Sequence, residues 1–317
     1  MLGFILRRTL VLIPTLLVTT MIIFAMMQFM PGDPIDIFLS PNVNMTEQER
    51  ENFMEQHGLD EPLPIQYVTW LTNFFQGDMG QSFNYGQPVS DLIWARIGPT
   101  ALLAGSSLLL ALVVSIVFGT ISAVRQYTML DNVVTGASFF GVSLPDFWFG
   151  LILIYIFSVV WGVFPSSGMT SVEGGGVIDV ASHMVMPVIV LATAQTAVLT
   201  RYMRSSVLEV IHEEFVAAAR AKGLSESVVI IKHVIRNSLL TIVTIIGLSL
   251  PVFLSGSLIV EQVFSWPGLG QFFWRSVTQR DYPVIMAVLT LTSILTLLGN
   301  FLADLAYGFL DPRIQYD

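Results

Sequence analysis

Polar residues in this chain are grouped. Between the groups lie six apolar runs, at about 9–30, 98–124, 132–162, 184–202, 238–263 and 283–309. An α-helix needs about 20 predominantly apolar residues to cross the hydrocarbon core of a bilayer, and these runs have that length. Inside lipid the backbone must satisfy its own polar groups, so such runs cross as helices. The pattern predicts an all-α membrane protein with six transmembrane helices. The third run contains Pro145, which removes a backbone donor and should kink or break that helix. The first run is too long for a signal-peptide core. It leads into Pro31-Gly32-Asp33-Pro34 rather than a small-residue cleavage site, so it reads as a retained span.

The segments between the runs divide the chain. An N-terminal span over 1–30 is followed by a loop region over 31–95, a membrane domain over 96–310 and a tail at 311–317. Within the loop region, Thr46-Glu47-Gln48-Glu49 has the acids expected in a first helical turn, and Gly58 would stop that helix. Pro62 and Pro64 then precede an amphipathic piece, Ile65–Phe75. Its Tyr67, Trp70 and Phe74 suit a membrane interface or packing on the ends of the spans. The link around Arg125–Asp131 is too short to hold a domain, and Glu173-Gly174-Gly175-Gly176 reads as a flexible loop. Phe264-Ser265-Trp266-Pro267-Gly268-Leu269-Gly270 is apolar yet rich in turn formers. It fits a re-entrant or interfacial loop that plugs a pathway, touches a partner or simply packs.

Charge orients the helices. With the N-terminus inside the cell, ten basic residues lie inside: Arg7, Arg8, Arg125, Arg201, Arg204, Arg220, Lys222, Lys232, Arg236 and Arg313. Only Arg50, Arg96, Arg275 and Arg280 lie outside, which is the expected positive-inside bias. Six spans return the C-terminus to the cytoplasm. The net charge of −9 owes much to ten acids in Pro31–Asp91. That segment faces outward, so the acidity implies no nucleic-acid partner. Cysteine is absent, which excludes disulfides and thiolate chemistry.

The most informative interruption is the charged island 209–237. Glu213 and Glu214 open one helix, which runs through Ala217-Ala218-Ala219-Arg220-Ala221-Lys222 to a glycine stop at Gly223. Ser225 can cap a second helix, whose last turns carry Lys232, His233 and Arg236, suited to a helix C-terminus. Small side chains beside a glycine elbow suit close docking of a soluble partner. Catalytic signatures are missing. No phosphate loop and no H-E-x-x-H occur, and the four histidines lack metal-ligand spacing. The ionisable residues read within spans are Asp146 and Asp304. Asp146 follows Pro145, where it could act in a pathway or start the helix that resumes after the break. A proton- or sodium-coupled carrier working alone would more often show several such groups. The chain reads as a pathway without its own motor.

The island resembles the cytoplasmic coupling loop, often called the EAA loop, of permease subunits in bacterial ATP-binding-cassette importers. The pattern E-A-A-x-x-x-G maps onto Ala217 through Gly223, with alanine replacing the leading glutamate. The oligopeptide branch reads much like Ala219–Leu224, A-R-A-K-G-L. Further stretches resemble the B-type dipeptide/oligopeptide permease subunit: Ile5-Leu6-Arg7-Arg8 with Pro31–Pro34, Gly77–Ser82, Ser143–Trp148, Phe264–Gly270, Arg280–Pro283 and Asp311-Pro312-Arg313. The resemblance runs end to end, and nickel and glutathione importers share this subunit family.

It implies the transmembrane domain of a type I importer, paired with a homologous second permease subunit in the bacterial inner membrane. Two cytoplasmic ATPases would hold ATP and Mg, and an external substrate-binding lipoprotein would deliver the solute. This chain would bind no cofactor and catalyse no reaction. The implied ATPase-coupling residues are Glu214, Ala217, Ala218, Ala219, Arg220, Lys222, Gly223 and Leu224. Asp146, Trp266, Pro267 and Gly268 are candidates for the pathway or its gate.

Overall fold

The computed structural model describes residues 2–29, 48, 60–172 and 174–310, with side chains at 2–6, 244, 247–257 and 303–310 outside the description. Secondary structure among the described residues is helical apart from one bridge, Gln81 to Pro88. The elements are α1 (Leu2–Gln28), α2 (Leu63–Phe75), α3 (Val89–Val124), α4 (Met129–Ser143) and α5 (Asp146–Leu153), which continues as a π-helix, Ile154–Val160. Next come α6 (Val177–Val210), α7 (Glu214–Ala221) and α8 (Glu226–Val228), then a second π-helix, Val229–Ile235. The last described elements are α9 (Arg236–Val263), α10 (Leu269–Gln279) and α11 (Tyr282–Leu310).

Among the described residues, four helical stretches are long and apolar enough to span a membrane: Arg7–Gln28, Val89–Val124, Val177–Val210 and Tyr282–Leu302. The α4 and α5 pair makes a fifth if its two halves are one span. The remaining apolar run falls on α9, 28 residues long, part of whose side chains lie outside the description. Pro145 acts as the sequence predicts. Leu144 before it is extended, with ψ 124°, and α5 restarts at a bend of 103°. Asp146 is the first helical residue and Pro145 holds the cap position, so an acid stands in the first turn, where the helix dipole favours it.

The chain divides into two units, 99–271 with 298–317 and 2–98 with 272–297. In the first, α6 is the spine, packed along α9 and α4. Helices in lipid associate through close packing, so small residues mark their contacts. A Cβ on Gly119 of α3 would stand 2.7 Å from Met203 Cβ and 2.9 Å from the Thr200 carbonyl oxygen, so only glycine lets α3 close on α6 there.

In the second unit, the Tyr67 hydroxyl lies 2.9 Å from Thr20 Oγ1, and its ring meets Phe24 edge-on at 5.7 Å. Tyr67 of the amphipathic α2 therefore packs on α1. Asp281, fully buried, accepts hydrogen bonds from Ser82 Oγ, Phe83 N (3.1 Å), Asn84 N (3.3 Å) and Asn84 Nδ2 (3.3 Å). Two of the resembling stretches, Gly77–Ser82 and Arg280–Pro283, thus meet at one carboxylate.

Beside Gly174-Gly175-Gly176 the described residues form a hydrogen-bonded turn. Gly174 N donates to Ser171 O, and Ser171 N and Oγ both donate to Asp179, because a carboxylate two residues into α6 supplies acceptors. The helix expected over 46–58, together with Pro31–Pro34 and Asp311–Arg313, falls outside the described residues except for Gln48, and so does the Asp304 side chain.

Candidate functional site: a docking elbow and a capped loop

The island forms an elbow. After α6 ends at Val210, Glu213 caps α7 with extended backbone, and its carbonyl accepts from Val216 N (3.0 Å) and Ala217 N (3.2 Å). Eight residues are too few for a helix to persist alone in water, so packing must hold α7. Val216 and Ala219, three residues apart and fully or nearly fully buried, supply that packing. They belong to one core cluster with Ala123, Met203, Val207, Val229, Val234 and Ile242. Glu214, Phe215, Ala217, Ala218, Arg220 and Ala221 stay exposed, so three alanines stand on the outward side beside a glutamate, a phenylalanine and an arginine.

Ala219 is therefore turned into the core, unlike its companions in the motif. The helical period puts Val216 and Ala219 on one face and Ala217, Ala218 and Ala221 on others. Val216 carries the seat and is absent from the motif-derived set. Its signal was an apolar residue three positions from a small one.

The turn follows Lys222, whose N–H donates to Ala218 O (3.1 Å), and Gly223, whose N–H donates to Arg220 O (2.9 Å). Gly223 is left-handed at φ 82°, and a Cβ there would meet nothing within 4 Å. The demand for glycine is thus one of backbone conformation alone. Arg220 makes a two-point pair with Glu226 across the elbow, at 3.1 Å from Nε and 2.7 Å from Nη2. The pair raises the Arg220 pKa and lowers that of Glu226, chiefly through these hydrogen bonds. Both groups are exposed, so the pair sets the angle of the elbow more than it stabilises the fold. Lys222 and Leu224 are exposed beside it.

The second helix differs from expectation. Ser225 occupies the N-cap position, but its side chain makes no capping hydrogen bond. No helix ends near Lys232–Arg236, because helical backbone continues through the π segment into α9. The apolar residues on either side of Lys232 and His233 contain no glycine or proline, so nothing local stops the helix.

The loop after α9 is built around a carboxylate. Glu261, fully buried, accepts from Thr100 Oγ1 (2.8 Å) and Gln271 N (3.0 Å). Thr100 Oγ1 in turn accepts from Leu269 N (2.8 Å). The Trp266 ring is fully enclosed, with Nε1 donating to Pro99 O at 3.0 Å. A Cβ on Gly268 would collide with the Glu261 carboxyl, and one on Gly270 would lie 2.5 Å from Leu258 Cα. Both glycines are required by close approach. Phe264 is buried against Gly150 of α5, one turn beyond Asp146, which is half-buried. Of the proposed gate residues, Trp266 and Gly268 face inward and Pro267 faces outward. Glu261 corrects the reading that Asp146 and Asp304 account for the acids in the spans. It sits in the 238–263 run, where neighbouring apolar residues hide it.

Comparisons with known proteins agree along the length of the chain. Residues 115–316 match the family model "Binding-protein-dependent transport system inner membrane component", and residues 1–104 match its N-terminal companion. The oligopeptide transport system permease protein AppB of Bacillus subtilis (strain 168) is 46% identical, with all of both chains covered. The dipeptide transport system permease protein DppB of Escherichia coli (strain K12) is 36% identical over 100% of this chain and 99% of its own. The glutathione transport system permease protein GsiC of Escherichia coli O6:H1 is 37% identical over the whole of both. A chain from a solved structure of the MetNI methionine ABC transporter shares the fold, with a TM-score of 0.52 at 18% identity, covering 69% of this chain and 96% of that one. This multi-pass, helical membrane chain thus belongs to the family of binding-protein-dependent transport system inner membrane components.

Proposed function

We propose that the chain is the permease subunit of an ATP-driven importer and forms half of a pathway for di- and oligopeptides. The observation that carries this reading is the exposed side of α7 with its three alanines, seated on the core by Val216 and Ala219 and ended by a left-handed glycine. A protein partner can approach such a face closely. Of two cytoplasmic ATPases, which hold ATP and Mg, one would grip Glu214, Ala217, Ala218, Arg220, Lys222, Gly223 and Leu224, with Ala219 supporting them from beneath.

Closure of the ATPases would then move the helices as bodies between inward- and outward-facing arrangements, an equilibrium biased by the nucleotide state of the partner. A homologous second permease subunit would supply the other half of the pathway, and an external binding protein would deliver the solute. Both termini and 209–237 would face the cytoplasm of a bacterial cell, with 31–95 outside the membrane domain 96–310. Asp146, Trp266, Pro267 and Gly268 would belong to the pathway or its gate. The glutathione permease among the relatives supports a second reading, a small peptide-like thiol as cargo, on the same machinery.

The test is ATPase activity and co-purification in the reconstituted complex, comparing native chain with Ala218→Glu and Gly223→Pro. Loss of ATPase docking from a folded membrane subunit is expected. Unchanged docking, stimulation and uptake in both variants would overturn the assignment.

A further inference from the structure

Beneath the docking helix lies a buried ion pair that the coupling motif does not include. Arg204 of α6 presents its guanidinium edge to Asp131 of α4, Nε to Oδ1 at 2.8 Å and Nη2 to Oδ2 at 2.8 Å. The same carboxylate accepts from Ser122 Oγ of α3 and from Tyr127 N at 2.9 Å. Tyr127 takes a left-handed φ of 63°, unusual for a residue with a side chain, and this conformation is maintained where the surroundings demand it. The side chain of Asp131 is 4% exposed and that of Arg204 26%.

Place and geometry together give the pair a task. Arg204 is flanked by Met203 and, one turn on, Val207, and Ser122 precedes Ala123. All three neighbours belong to the cluster that seats Val216 and Ala219 of α7. The α3–α6 contact is already made by close packing at Gly119. What the ion pair adds is a fixed register for α4, which already packs on α6, and for the turn before it. A buried ion pair is a poor source of stability compared with apolar packing, and its best-attested use is to fix register. A two-point guanidinium–carboxylate contact fixes orientation as well as distance, which a lysine cannot do.

We propose that Asp131 and Arg204 are positioning residues that hand a displacement of the docking helix to α4, so that α3, α4 and α6 move as one lever. The proposal rests on reading α7 as the ATPase-docking helix.

The experiment uses the reconstituted complex, with the binding protein loaded from a mixed peptide digest. Arg204→Lys keeps the charge and removes the fork, whereas Ser122→Ala leaves the fork intact. With Arg204→Lys, ATPase co-purification, basal hydrolysis and melting midpoint should stay native. Stimulation by loaded binding protein should fall at least fivefold, and ATP consumed per peptide imported should rise in step. Ser122→Ala should remain within twofold of native.

Because the chain has no cysteine, nitroxides can be placed on Asn132 and Ser205, both exposed, without background from this chain. Their separation should not change on ATP binding in the native protein and should change in Arg204→Lys. The proposal is overturned by native coupling in Arg204→Lys, by a loss that merely tracks its melting midpoint, by equal damage from Ser122→Ala, or by a native separation that shifts with ATP. Ala218→Glu and Gly223→Pro separate the two levels. If both leave ATPase docking intact, the docking reading fails. If docking is lost there but Arg204→Lys couples normally, only the lever fails.

Discussion

Glu261 and Gly268 should be energetically coupled, with a sign that follows from their contact. Glu261→Ala leaves the Thr100 hydroxyl and the Gln271 N–H buried without their acceptor. Each orphaned donor costs about 1–3 kcal/mol, so about 2–6 kcal/mol is expected in all. Gly268→Ala forces a methyl group into the space that the carboxyl holds, an overpacking that costs about 1–3 kcal/mol. In the double variant the carboxyl is gone and the methyl has room. Its destabilisation should therefore match that of Glu261→Ala alone, a coupling of about 1–3 kcal/mol in favour of the pair.

Glu261→Gln serves as a control. One amide oxygen can face the Gln271 N–H while the NH₂ meets Thr100 Oγ1, so its loss should be smaller than that of the alanine variant. The assay is equilibrium unfolding of the detergent-solubilised protein for the native chain, the two alanine single variants and the double variant. Additivity within about 0.5 kcal/mol would refute the claim that the loop is built on this carboxylate.

At Gly223 the cost of a side chain is conformational. Gly223→Ala should cost about 1–2 kcal/mol, roughly a fivefold to thirtyfold rise in local opening, and Gly223→Asn should cost less. Hydrogen exchange of the α7 amides would show the order, and equal protection in all variants would contradict it. Asp281→Ala should expose the 76–88 loop to limited proteolysis, because the Phe83 and Asn84 N–H groups lose their acceptor. Ser82→Ala should do less, since those backbone donors still hold the carboxylate. For Arg220 and Glu226, the folded-state pKa of Glu226 is depressed, so the contribution of the pair is present above the ordinary glutamate range and is lost as pH falls through the depressed value. A melting series of native protein against Glu226→Gln should show a pH-independent difference from pH 6 to 8 that disappears only in acid. A difference already lost at pH 6 would contradict the assignment.

Some of this was legible without coordinates, for a local reason. Continuous apolar runs, the break at Pro145 and the stop at Gly223 depend on solvation and backbone sterics within a few residues, so the chain itself determines them. The small residues of the elbow are read off the chain in the same way. The direction in which α7 turns Ala219 did not follow, because that depends on which neighbours receive it. The helix expected to end near Arg236 continues, since charges on a helix surface do not stop it when the backbone finds no breaker.

Tertiary structure alone decided the carboxylates. Asp131 meets Arg204 across 73 positions, Glu261 meets Thr100 across 161, and Asp281 meets Ser82 across 199. A buried acid is tolerable only where packing brings donors to it, and no local pattern encodes that arrival. Sequence by itself determined the apolar runs, the break and the elbow. Packing decided which acids join the helices to one another, because desolvated charge is settled by partners far away in the chain.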